Sequence, residues 1–95
     1  MERQEIINAL NSIRALKFNK GNSGLDPTKE EIAQAIESWN SLIKDENALA
    51  LRASDKEIKG DFGKAYTKLL LLRMMVFTKL SEIEKQEFPK IEIPH

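Results

Sequence analysis

An all-α fold, a three-helix antiparallel bundle with a long third helix, is predicted by three observations. Apolar residues recur at three- and four-residue spacing along three stretches, which places them on one face of a helix. The chain of 95 residues holds four Gly and three Pro, 6% aromatic residues and 32% charged ones, a mixture that suits soluble amphipathic helices. No run alternates apolar and polar residues for long enough to build a sheet.

The first helix runs from about Arg3 to Leu16, with Ile6, Ala9, Leu10 and Ile13 on one face and Ile7 off the stripe. It ends in Phe18 to Asp26, FNKGNSGLD, where Asn, Gly and Ser accept turn conformations. The second helix starts either at Asp26-Pro27, with Asp as cap and Pro in the first turn, or at a capping box of Thr28 with Glu31. Its stripe is Ile32, Ala35, Ile36, Trp39, Leu42 and Ile43, and it ends near Asn47 or continues to Arg52.

The third helix opens on Ser54-Asp55-Lys56-Glu57, read as a capping box, and is stopped by Pro89. From Asp55 to Glu87 it would span roughly 50 Å at 1.5 Å per residue, against roughly 33 Å for a compact domain of this size. Two outcomes are open: a break near Gly60 and Gly63, or a helix that leaves the globule and is completed by homo-oligomerisation. Residues 1–88 then form one helical domain, and residues 89–95 form an extended tail in which Ile91 and Ile93, with the adjoining Phe88, are available to dock.

Leu69 to Phe77 reads LLLLRMMVF, too short for the about 20 residues that cross a bilayer. Ile58, Phe62, Ala65, Leu69, Leu72, Val76, Leu80 and Ile83 make one face; Leu70, Met74 and Phe77 widen it, and Leu71 and Met75 lie toward the back. Two further helices do not cover such a surface, so an interface at Leu70, Leu71, Arg73, Met74, Met75 and Phe77 is the expectation, with coverage by the tail as the alternative. Arg73 has only Leu69, Leu70, Val76 and Phe77 as helix neighbours. It must meet a carboxylate elsewhere, bind an anion, or extend its guanidinium to water.

Chemistry has little to work with. The single His, His95, is the last residue, and there is no Cys, so nucleophile–imidazole pairs and His or Cys metal sites have no donors. Glu57 with Asp61 and Asp26 with Glu30 are carboxylate pairs that belong on a solvated face. Gly21-Asn22-Ser23-Gly24 has the GxxG form of a nucleic-acid clamp without the sheet that supports one, and no Lys-Ser or Lys-Thr follows it, so it is read as a turn. Lys17, Lys20 and Lys29 surround a helix start whose dipole Asp26, Glu30 and Glu31 already compensate. A helix-turn-helix is disfavoured by the long loop and the acidic start of the second helix. No catalytic residue, cofactor site or metal site is therefore assigned.

Fifteen basic and fifteen acidic residues leave no formal net charge, which argues against whole-protein attraction to nucleic acid or membrane. Charge is nevertheless segregated: four positive and two negative in Met1 to Lys20, two and six in Asp26 to Glu46, five and three in Asn47 to Lys68. Arg52, Lys56, Lys59, Lys64 and Lys68 are candidate contacts for an anion or an acidic partner. The N-terminus lacks the pattern of a secretory signal, which makes the cytoplasm the expected location. These features point to a non-enzymatic interaction protein, an adaptor, regulator or inhibitor that acts as a helical homo-oligomer, most simply a dimer, and binds another protein. That character also suits an accessory factor of a phage or mobile element. The alternative is a helical nucleic-acid or nucleotide-binding regulator that uses the basic residues of the third helix.

Overall fold

The computed structural model describes residues 1–17 and 27–94, and these are all-helical, with no strand among them. Five helices form: α1 (Arg3–Arg14), α2 (Lys29–Leu42), α3 (Glu46–Ser54), α4 (Lys56–Phe77) and α5 (Glu82–Glu87). The Gly21–Gly24 segment, Asp26, Lys20 and His95 lie outside the described residues.

α2 starts where the Thr28 capping box predicts. The Thr28 hydroxyl accepts from the Glu31 amide at 3.1 Å while the Glu31 carboxylate accepts from the Thr28 amide. It then ends at Leu42, short of both expected ends, because Asp45 caps a new helix by accepting from the Ala48 amide. The third expected helix is corrected at both ends. Asp55, not Ser54, is its cap, accepting from the amides of Glu57 and Ile58, while Ser54 is the last residue of α3. α4 stops at Phe77, and Ser81 with Glu84 forms another reciprocal capping box that opens α5.

No break occurs at Gly60 or Gly63. Each glycine costs about 1 kcal/mol against alanine in a helix interior. Ile58, Phe62 and Ala65, all buried around them, hold the backbone in register. The 22 residues of α4 measure about 33 Å at 1.5 Å per residue, which fits a molecule of 40 × 29 × 17 Å. The length conflict read from the sequence is thus resolved inside one chain, by ending the helix early.

The core is wholly apolar among the described residues. Ile6, Leu10 and Ile13 of α1 and Ile32, Ile36, Trp39 and Leu42 of α2 meet Ile58, Phe62, Ala65, Leu69 and Leu72 of α4, with Ala48 from α3. Trp39 sits edge-on to Phe62 at 5.8 Å between centroids and tilted against Tyr66 at 5.7 Å. Ile83, placed on the buried face by periodicity, is 70% exposed because the turn at Thr78–Leu80 re-aims the chain.

Surface pairs tie the elements together: Arg14 to Asp61 at 3.1 Å, Arg3 to Asp55 at 3.6 Å, the Met1 ammonium to Asp45 at 3.0 Å, and Lys29 to Glu84. Lys29, with the amide and hydroxyl of Ser81, holds the Glu84 carboxyl down from its ordinary 4.5 to about 2. The Met1 ammonium and the Ala48 amide lower Asp45 as well. Glu30, Glu31 and Glu37 of α2 are exposed and form no ion pair among the described residues.

Two outcomes follow. A Cβ built at Gly60 or Gly63 meets nothing within 4 Å, so Gly60→Ala and Gly63→Ala should each raise stability by about 0.5–1 kcal/mol in urea unfolding at low protein concentration. Because Glu84 binds its proton less readily folded than unfolded, its contribution is complete above pH 4.5 and is lost as pH falls toward 2. Lys29→Met should return the Glu84 titration, followed by carboxyl NMR, toward its ordinary value and remove part of that acid sensitivity.

Candidate functional site

α4 divides into two faces. Its buried stripe leaves the opposite side to solvent, and the expected interface residues separate along that boundary. Leu70, Leu71 and Met74 are 42, 48 and 64% exposed, whereas Arg73, Met75 and Phe77 are half-buried. The three exposed side chains lie within one and a half turns and form a continuous apolar face.

Arg73 meets no carboxylate among the described residues. Its Nε–H donates to the Pro89 carbonyl at 3.0 Å, and its guanidinium carbon lies 4.6 Å from the Phe77 ring centroid and 5.9 Å from that of Phe88. A backbone carbonyl and two aromatic faces thus replace a carboxylate. Arg73 anchors the tail and turns away from the exposed apolar face.

From Pro89 to Pro94 the tail runs extended beside α2 as a strap. Asn40 holds it twice, donating to the Lys90 carbonyl at 2.8 Å and accepting from the Glu92 amide at 2.9 Å. Trp39 Nε1–H donates to the Glu92 carbonyl at 2.8 Å, and Lys44 pairs with Glu92 at 2.9 Å. Phe88 and Ile91 pack against the core, so the strap covers one flank of α4 as the alternative reading expects. Ile93 stays 64% exposed. Sequence reasoning missed Asn40 and Trp39 as strap anchors; an Asn two residues before the helix end was the only local signal, and its partners lie 50 and 52 residues away.

The basic residues do not form one stripe. Lys68 donates to the Arg14 carbonyl at 2.9 Å, and Arg52 is half-buried at the edge of a pocket beside Trp39. Lys56, Lys59 and Lys64 are exposed, but Lys59 and Lys64 project about 140° apart around the helix. Asp61 of the predicted carboxylate pair is engaged by Arg14, and Glu57 lies exposed in the first turn of α4. Among the described residues, no three His, Cys, Asp or Glu side chains converge as metal ligands. No helix there is long and apolar enough to cross a membrane.

A second surface feature adjoins α4. Trp39, Phe62, Gly63, Tyr66, Ile93 and Pro94 line most of a shallow pocket of about 220 Å³, open where Gly63 contributes no side chain.

Asn40→Ala removes both bonds to the strap and leaves a carbonyl and an amide unpaired, at a cost of about 1–2 kcal/mol. Amide exchange at Glu92 should accelerate, and the emission of Trp39, the sole tryptophan, should shift to longer wavelength; unchanged exchange would mean that the strap is held without Asn40. Comparison of the chain with protein-family models, curated proteins and solved structures finds no match.

Proposed function

We propose that this protein is a non-enzymatic interaction module, of the adaptor, regulator or inhibitor kind, that acts as a helical homo-oligomer and grips another protein. The observation that carries this reading is the exposed Leu70, Leu71 and Met74 on a helix whose core side is already complete. Large apolar side chains clustered in water are unfavourable by roughly 25 cal/mol for each Å² of apolar surface, and covering them against another chain recovers that energy. Methionine and leucine suit such a role because they adapt to a facing surface. The fold supplies the rigidity, since Trp39, Phe62 and Tyr66 lock α2 to α4 beneath the exposed face.

Leu71→Glu combined with Met74→Glu tests the reading, because both side chains are exposed and neither belongs to the core. Light-scattering chromatography should give a dimer or larger species for the parent and a monomer for the variant, with unchanged helical circular dichroism. A parent that remains monomeric throughout the accessible concentration range would sink the homo-oligomer.

A further inference from the structure

The outer face of α4 carries its own complement. Gly60, Lys64, Thr67, Leu71, Met74 and Thr78 recur at alternating four- and three-residue spacing and are all exposed. That spacing is the seam of helices that pack side by side at a shallow crossing angle. The seam is asymmetric along its length, with glycines at the N-terminal end and large apolar side chains at the C-terminal end. Gly60, Gly63, Lys64 and Thr67 stand at the four corners of one helical hole, and a Cβ at either glycine would meet nothing within 4 Å. Beside that hole lies the shallow pocket lined by Trp39, Arg52, Tyr66 and Ile93.

We propose that α4 pairs antiparallel with α4 of a second copy, across a two-fold axis that passes close to Thr67. The proposal rests on the homo-oligomer reading above and specifies its partner and register. With Thr67 opposite Thr67, Gly63 falls opposite Leu71 and Gly60 opposite Met74. Each copy therefore seats its large side chains where the other has only backbone. Leu70 projects on the same flank as Gly63 and reaches the pocket at Tyr66 and Ile93 of the facing copy. The contact is isologous, as a closed dimer requires: the same patch serves as knob and as hole.

Charge follows the same register. Glu57 and Lys79 are exposed, and neither forms an ion pair among the described residues. An antiparallel pair in this register sets Glu57 of one copy opposite Phe77 of the other, two residues from Lys79 in the turn that follows α4, at both ends of the seam. A parallel pair does the opposite: it sets Lys64 against Lys64, stacks Leu71 on Leu71, and leaves the glycine end empty. The fit of large side chains into the glycine end thus selects the antiparallel register with a second copy as the occupant.

The absence of native cysteine makes the register directly readable by disulfide trapping. Thr67→Cys alone should oxidise to a covalent dimer, because the two sulfurs meet at the axis within disulfide reach. Gly63→Cys alone and Leu71→Cys alone should not, since each lies four residues from the axis and its symmetry mate is about 12 Å away along the helix. An equimolar mixture of Gly63→Cys and Leu71→Cys should cross-link. In parallel, Gly63→Leu should fold normally yet weaken dimerisation at least tenfold, because it fills the hole that Leu71 enters. Self-linking of Gly63→Cys and Leu71→Cys as readily as Thr67→Cys would overturn the register in favour of a parallel pair. A dimer by light scattering that none of these variants traps would place the interface elsewhere and leave the homo-oligomer reading standing. A parent that stays monomeric would overturn both and assign the face to a different protein.

Discussion

Burial of α4 along one side only is the constraint from which the rest of the structure follows. Ile58, Phe62, Ala65, Leu69 and Leu72 lie on a stripe narrow enough for α1, α2 and α3 to cover, and those helices pack against it from one direction. The molecule is 17 Å through its thinnest axis, the depth of two helix layers at the usual 8–10 Å separation. A slab of that kind cannot enclose its longest helix. The outer face of α4 is exposed by architecture, and the sequence places Leu70, Leu71 and Met74 at its C-terminal end, whereas α2 exposes glutamates.

The aromatic cluster converts this packing into a single arrangement. Trp39 touches Phe62 and Tyr66 through its ring and the strap through its nitrogen, so one side chain fixes α2, α4 and residues 89–94 relative to one another. No polar or charged residue among the described ones is fully buried, and most side-chain hydrogen bonds lie at the rim. There they act on backbone groups that a strap without strand partners would otherwise leave unpaired.

Much of this was legible in the residues. The Thr28 box, the stripes of α1 and α2, and the buried stripe of α4 follow from spacing alone, because helical periodicity is a local property. The splits at residues 43–45 and 78–81 were also written locally. Asp45 and the Ser81-to-Glu84 box carry the same cap chemistry as Thr28, but continuing apolar periodicity on either side masks them. The partner of Arg73 could not be read in this way. Its neighbours in sequence are apolar, and the carbonyl that satisfies it arrives on a chain segment whose path depends on Asn40 and Trp39. Likewise, Gly60 and Gly63 read as weak points when the helix is taken alone, whereas the folded chain shows them as open space on a well-anchored surface.

The Arg73 contact gives the strap a second consequence. Arg73 sits one residue from Met74 and three from Leu70, and it holds Pro89 while lying against Phe77 and Phe88. The edge of the outer apolar face is therefore drawn by a single guanidinium. With the strap docked, the exposed apolar face is narrow and ends at Arg73. With the strap lifted, Phe77 loses its cover and the apolar face widens around the helix toward the core. The tail in this sense sets the width of the exposed apolar surface as well as closing the fold.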